Sequence, residues 1–178
     1  ALQHRLVNMQ PQPAATVAPL RDGAKGLEVL LLQRSPQLAF APGAWVFPGG
    51  RIDAGDHAHG TASAPRQAAV REASEEAGIT LTASSLVEVA HWTTPPGQVR
   101  RFATWFFIAD ANHCHTVRID GVEAVDFLWL TPQDALARAG HGGLHLIRPT
   151  LATLTQLREF GRVDQALAGF AEQQVIRR

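Results

Sequence analysis

Two rhythms of apolar positions run through the chain. Near the start, "AATVAPL" and "LEVLLLQRS" flank the turn-rich "RDGAKG" and predict a strand hairpin. The following "APGAWVFPGGRIDAGD" holds too much Gly and Pro for a helix, so a short strand over Trp45 to Phe47 leading into a loop is expected. The rhythm then changes. Ser63, Ala64 and Pro65 supply a helix start and Gly78 a stop, bracketing "RQAAVREASEEA" as a helix of about three turns. At about 100° per residue, Ala69, Val70, Ala73 and Ala77 share one face, and Glu72, Glu75 and Glu76 cluster on another.

Strand character returns in "SLVEVAHWTTP", "RRFATWFFIAD" and "EAVDFLWL", which are rich in Val, Phe, Trp and Thr. "TPQDALARAG" starts like a capped helix, and "HGGLHLIRP" reads as a loop. In "TLATLTQLREFG" and "VDQALAGFAEQQ" the residues Leu151, Leu154, Leu157, Phe160, Leu167 and Phe170 recur at helical spacing, a stripe suited to core packing, part of which could instead join two copies in a homodimer. Neither an internal repeat nor a low-complexity linker interrupts this order. One α/β domain over residues 1–178 is expected, with a loop insertion at about 57–64 and a C-terminal helical extension at about 149–175.

Composition narrows the function classes. Sixteen Lys and Arg against sixteen Asp and Glu leave no net charge, so nothing global favours a nucleic-acid or membrane partner, and any phosphate recognition must be local. The single cysteine, Cys114, excludes an intrachain disulfide and suits a reducing compartment. "ALQHRLVNMQ" lacks the apolar core of a secretory leader, and no apolar run is long enough to span a bilayer. These features make the cytoplasm the expected location.

The acidic run stands out against that neutral background. Glu72 faces Glu75 and Glu76 across one helical turn, and like charges at that spacing repel by a few tenths of a kcal/mol per pair. One arrangement that tolerates this is a solvated acidic face. Another is a hard divalent cation, Mg²⁺ or Mn²⁺, which favours carboxylate and carbonyl oxygens and completes its shell with water and substrate phosphate. The upstream "FPGG" adds a donor, since adjacent glycines allow close backbone approach and the Gly50 carbonyl becomes a candidate ligand.

"GGRIDAGD…REASEEAGI" resembles the signature of the Nudix hydrolases, G-x5-E-x7-R-E-U-x-E-E-x-G-U with U aliphatic. Gly50 matches its first position, and Arg71, Glu72, Ala73, Glu75, Glu76, Gly78 and Ile79 match its second half. The first half departs from it, because Asp56 stands in place of the first glutamate and fourteen residues, rather than seven, separate it from Arg71. The resemblance implies an α/β/α sandwich around a mixed sheet, with extra C-terminal helices here. It also implies cleavage of a nucleoside diphosphate linked to another moiety, with metal held by the Gly50 carbonyl, Glu72, Glu75 and Glu76. A downstream acid often joins such a cluster, and Glu123 is the first candidate, Asp126 the second. Glu75 is the candidate general base, and Arg71 the residue that orients a neighbouring carboxylate through a bidentate ion pair.

Upstream, "LLLQRSPQLAFAPGAWVFPGG" resembles an element that coenzyme A diphosphatases carry before the box: Leu30, Leu31, Arg34, Ser35, Leu38, Gly43 and "FPGG" fall in register. Leu32, Ala39 and Ala41 stand where that element has Thr, Arg and His. Coenzyme A and acyl-coenzyme A are therefore the first expected substrates. ADP-ribose and nucleotide sugars are the rivals, because Pro95 falls sixteen residues after Ile79, near a proline of ADP-ribose-type members. Arg34, Arg51, Phe40, Arg101 and Phe102 form the expected substrate-binding set, the arginines for phosphate and the aromatics, with Trp92 and Trp105, for stacking. A non-catalytic nucleotide sensor of Nudix type is the rival from another class; the retained glutamates and the lack of a basic recognition helix argue against it. "HCH" at 113–115 reads as a polar loop rather than a zinc site, because no second ligand pair accompanies it. His57 and His59 lie in the loop insertion, within reach of bound phosphates or free in solvent.

Overall fold

The computed structural model describes residues 10–178; residues 1–9, most of the segment compared above with a secretory leader, lie outside them. In chain order the elements are β1 (Gln12–Gly23), β2 (Gly26–Arg34), β3 (Trp45–Val46), β4 (Gly49–Arg51), α1 (Ala64–Ala77), β5 (Val87–Thr93), β6 (Phe102–Asp110), β7 (Ala124–Leu130), α2 (Pro132–Gly140), α3 (Arg148–Leu157), α4 (Val163–Glu172) and β8 (Ile176–Arg177). This is the mixed α/β architecture expected from the sequence. The hairpin turn is tighter than "RDGAKG" suggests: pairing runs on to Gly23↔Gly26, so only Ala24 and Lys25 turn. Gly26, at φ +112°, makes that sharp reversal possible.

β1 is the hub of the sheet. It pairs in parallel with β6 from Gln12↔Phe102 to Leu20↔Asp110 and antiparallel with β2 from Leu20↔Val29. Buried without interruption from Ala14 to Leu20, it reads as a continuous run because both faces are covered. β5 continues the sheet antiparallel to β6, β7 flanks β2 on its other side, and the short β8, which no local pattern announces, runs parallel to β5. Beyond Leu20↔Val29 the hairpin strands part. β4 takes the place beside β1 (Ala14↔Arg51 to Thr16↔Gly49), while β3 takes the place beside β2 (Leu32↔Val46). The Phe47–Pro48 link bridges the parting, pinned by the buried Thr16, whose Oγ1 donates to the carbonyls of Phe47 (3.3 Å) and Pro48 (2.6 Å).

Alternation along the strands divides the core between the two faces. Leu30 and Leu32 of β2, with Ala15 and Val17 of β1, point to α1. Val29 and Leu31, with Leu20, point to the C-terminal helices, where Leu154, Leu157, Val163 and Phe170 are buried and Leu151, Phe160 and Leu167 pack at the margin. The stripe read from the sequence is thus core. Thr131 caps α2 as expected, its side chain accepting from the Asp134 N–H at 3.2 Å. α3 starts at Arg148, earlier than "TLATLTQLREFG" suggested, with Pro149 in the first turn where its missing N–H does no harm. Among the described residues no helix is long and apolar enough to cross a membrane.

Candidate active site

α1 lies on β1 and β4 through alanines. Ala68, Ala69, Ala73 and Ala77 are all fully buried, and such small side chains let the helix backbone come close to the sheet. Val70, expected on the same face, is only half-buried. Closeness reaches its limit at the glycine pair. A Cβ on Gly50 would sit 2.4 Å from Glu72 Oε1, and one on Gly49 would sit 2.3 Å from Thr16 Oγ1. A side chain at Gly49 would also meet the Ala15 carbonyl at 2.7 Å and force the strands apart, and one at Gly50 would displace the Glu72 carboxylate. Gly78, left-handed at φ +66°, ends the helix by donating to Ser74 O at 3.0 Å. Ser63 makes no capping bond with its side chain, so the start rests on Pro65.

The three helix glutamates do not share one charged face, a correction to the pattern read from sequence. Glu76 is 7% exposed and the Glu72 side chain 12%, whereas the Glu75 side chain is 58% exposed. Glu76 borders the alanine face, about 60° around the helix from Ala73. The segment before β7 then folds over the helix end, with Arg118 N–H on Ala77 O at 2.8 Å and Asp120 N–H on Glu76 O at 3.2 Å. That segment also delivers Glu123. Carboxylate oxygens of Glu72, Glu76 and Glu123 lie within 4.8 Å of one another. Asp126 and Glu75 stand outside this grouping; Asp126 instead accepts from the Phe127 N–H at 2.8 Å.

Burial governs the electrostatics of the cluster. It pushes the Glu76 carboxyl up to about 10, with the hydrogen bond to Glu72 and the charges of Glu72, Glu123 and Asp120 acting in the same direction. Glu72 is also raised by burial, against the stabilising pull of Glu76 and Arg71. At neutral pH the buried pair holds a proton in the absence of a cation. An all-oxygen set of converging carboxylates, with a glycine backbone packed against one of them, fits a hard divalent cation such as Mg²⁺ or Mn²⁺.

Arg71 braces the cluster from behind. Its Nε and Nη2 bind the two oxygens of Asp56, each at 3.1 Å, while Nη1 reaches Glu72 (3.0 Å) and Glu75 (3.3 Å). Nη2 also donates to Arg51 O at 3.0 Å and lies 3.4 Å from Asp53 Oδ2. Asp56, only 5% exposed, accepts in addition from the Asp53 N–H at 2.7 Å. Burial alone would raise its pKa. The Arg71 hydrogen bonds and the Asp53 N–H outweigh that and hold it below the usual carboxylate value, while Asp56 in turn raises Arg71. The fourteen-residue spacing therefore does not separate the pair: 3-10 turns at Ala54–His59 and Thr61–Ser63 take up the insertion, leaving His57 and His59 at the surface.

Of the residues expected to meet substrate, three come together. Arg34, at the end of β2, donates from Nε to Phe40 O at 2.9 Å and lies 5.5 Å from the Phe40 ring. Burial lowers its pKa, opposed by the charges of Glu76 and Glu123, and the pairing of Arg34 with Ala124 sets the end of β2 alongside the Glu123 segment. Phe40 and Phe102 meet edge-on with centroids 5.5 Å apart. The loop that presents Phe40 is turned by Ala41 at φ +44° and Gly43 at φ +74°. Arg101 sits next along the strand, with Nε on Thr94 O at 3.1 Å, and Arg51 is exposed. Trp105 packs against His91 and Trp92 against Arg178. In the polar loop at 113–115, His113 Nε2 lies 2.8 Å from Thr80 O. Asp120 escaped sequence reading, although the run "DGVE", an acid and a glycine just before Glu123, is a turn signal.

Residues 10–148 match the NUDIX domain family. A putative nudix hydrolase 7 of Caenorhabditis elegans is 26% identical over 166 residues, covering 74% of this chain and 56% of that protein, so the chain spans about half the length of this relative. The crystal structure of a NUDIX hydrolase from Alicyclobacillus acidocaldarius superposes with a TM-score of 0.82 at 26% identity, covering 94% of this chain and all of that one. A C. elegans Ap4A hydrolase binary complex superposes with a TM-score of 0.61 at 25% identity, covering 89% and 99%.

Proposed function

The chain belongs to the Nudix family, and from that premise we propose that it is a hydrolase, dependent on Mg²⁺ or Mn²⁺, of the diphosphate bond in a nucleoside diphosphate linked to another moiety. The convergence of Glu72, Glu76 and Glu123 beside Gly50 carries this reading. These three carboxylates and the Gly50 carbonyl would hold the cation, and Arg71, anchored on Asp56, keeps Glu72 in place. When bound, the cation neutralises phosphoryl oxygens and makes water a better nucleophile. In our scheme the water oxygen bonds to phosphorus as the bridging P–O bond breaks, and its proton passes to a carboxylate. Glu75, open to solvent, is the candidate acceptor. Arg34 would meet a phosphate, and Phe40 with Phe102, next to Arg101 in the chain, would form an apolar wall for a base, while Arg51 remains a candidate for phosphate from β4.

Coenzyme A or acyl-coenzyme A is the substrate we favour. Support comes from the register of Leu30, Leu31, Arg34, Ser35, Leu38, Gly43 and "FPGG" with the coenzyme A diphosphatase element, and from the pairing that sets Arg34 and Ser35 alongside the Glu123 segment. A second reading, ADP-ribose or a nucleotide sugar, draws on Pro95, because the adjoining Thr94 is tied to the Phe102 carbonyl at 2.9 Å and so borders the same aromatic wall. The test is a cleavage screen with Mg²⁺ and then Mn²⁺ over coenzyme A, acyl-coenzyme A, ADP-ribose, NADH, diadenosine polyphosphates and nucleoside triphosphates, with mass analysis of products. Phosphopantetheine and an adenosine bisphosphate from coenzyme A support the first reading. Cleavage of ADP-ribose alone moves the assignment to the second, and binding without cleavage across the panel moves it to a nucleotide sensor.

A further inference from the structure

The third carboxylate of the cluster stands on an exposed segment, where a free glutamate would sample many positions. Asp120 removes that freedom for the backbone. Its Oδ1 accepts from three successive N–H groups, Val122 at 3.0 Å, Glu123 at 3.1 Å and Ala124 at 2.9 Å. Its own N–H donates to the Glu76 carbonyl at 3.2 Å, so one residue ties the Glu123 backbone to the helix that carries the other two carboxylates. Gly121, left-handed at φ +74°, turns the chain between them and donates to Ala124 O at 2.9 Å. From the other side, Ser35 N–H donates to Glu123 O at 2.8 Å.

We propose that Asp120 is a positioning residue for Glu123, holding the loop that brings the Glu123 carboxylate to Glu72 and Glu76 and so setting the cation affinity of the cluster. Asp120 Oδ1 is engaged by backbone N–H groups, and the residue stands outside the grouping of Glu72, Glu76 and Glu123. The proposal rests on Glu123 being a ligand, as in the function proposed above. A side chain that only rigidified the surface would not have an effect that depends on Glu123.

The test measures Mn²⁺ affinity, by titration calorimetry and by electron paramagnetic resonance of free Mn²⁺, on the full chain with no nucleotide present. Asp120→Ala is expected to weaken Mn²⁺ binding roughly tenfold, as loss of a residue that orients a ligand usually does. Asp120→Asn keeps the acceptor oxygen but not the charge that acts on Glu76, and is expected to recover most of the affinity that Asp120→Ala loses. In a Glu123→Gln background the Asp120→Ala loss should disappear. Gly121→Ala disturbs the same turn through its backbone angle alone, since nothing lies within 4 Å of an added Cβ, and should repeat the pattern if Asp120→Ala folds poorly. Undiminished affinity in Asp120→Ala, or a loss that adds in full to that of Glu123→Gln, overturns the positioning role. Unchanged affinity in Glu123→Gln itself overturns the ligand assignment, and the positioning role with it.

Discussion

The two faces of the sheet are packed with different materials. Toward the C-terminal helices the core is Leu, Phe and Val, including Leu31, Leu154, Leu157 and Phe170. Toward α1 the sheet still supplies Val17, Leu30, Leu32 and Phe107, but the helix side is alanine, and within that helix lie Glu72 and Glu76, both largely withdrawn from water. Full burial of a Leu or Phe side chain stabilises by about 1.5–3 kcal/mol, and an alanine by much less. The helix side of this face therefore contributes little hydrophobic stability per residue, yet its small side chains bring the helix close enough for Glu72 to touch a glycine backbone. Both faces hold apolar core, but the α1 face also holds the carboxylate cluster at short range.

The sharpest break between the faces should come from Glu76→Gln. Turnover of the identified substrate is expected to fall roughly a hundredfold or more, since the cation contributes several kcal/mol of charge stabilisation. The melting midpoint of the cation-free variant should be no lower than that of the parent, because Gln replaces an acid that is already neutral when buried. Leu154→Ala is the mirror experiment: a cavity in the leucine face should cost about 2–5 kcal/mol in denaturant unfolding. Mn²⁺ affinity and kcat, measured well below the midpoint, should stay as they were. A loss of kcat there would mean that the faces are not separable.

Ala73→Leu probes packing and site together on the α1 face. Overpacking should destabilise by about 1–3 kcal/mol and, by lifting the helix from β4, weaken Mn²⁺ binding too, as isothermal titration would report. The smallest effect is one of pH. Because the folded-state pKa of Glu76 is raised from its ordinary 4.5 to about 10, its contribution to stability is greatest below 4.5 and is lost as pH rises toward 10. Thermal midpoints of cation-free protein should therefore decline between pH 6 and 9, and Glu76→Gln should flatten that slope. An equal slope in the variant would place the proton elsewhere.

Much of this was legible in the sequence, for local reasons. The hairpin, the helix bracketed by Pro65 and Gly78, and the Leu and Phe stripe each follow from periodicity and from residues that start or stop an element. The grouping of Glu72 with Glu76 apart from Glu75 was not legible. A helical wheel puts all three near one side, and what buries Glu76 is a crossing segment at Arg118–Asp120 that no local pattern connects to the helix. Nor could spacing say whether Asp56 reaches Arg71, because the insertion shortens only once it coils into 3-10 turns. β4 and β8 are too brief to carry an alternating pattern, and pairing alone defines them.

The parallel pairing of β1 with β6 bears on how the molecule assembles. Among the described strands β1 is made first, yet its long partner ends only at Asp110. During synthesis an apolar strand must therefore wait for about ninety further residues to emerge before its second edge is covered, the kind of distant closure that slows folding and exposes a chain to aggregation. β4 docks on the same strand, so the Gly50 backbone reaches its final place only as β1 does. The candidate site is thus expected to be among the last parts of the domain to form. A stalled nascent chain ending just short of β6 should remain protease-sensitive, and one extended beyond Asp110 should begin to resist.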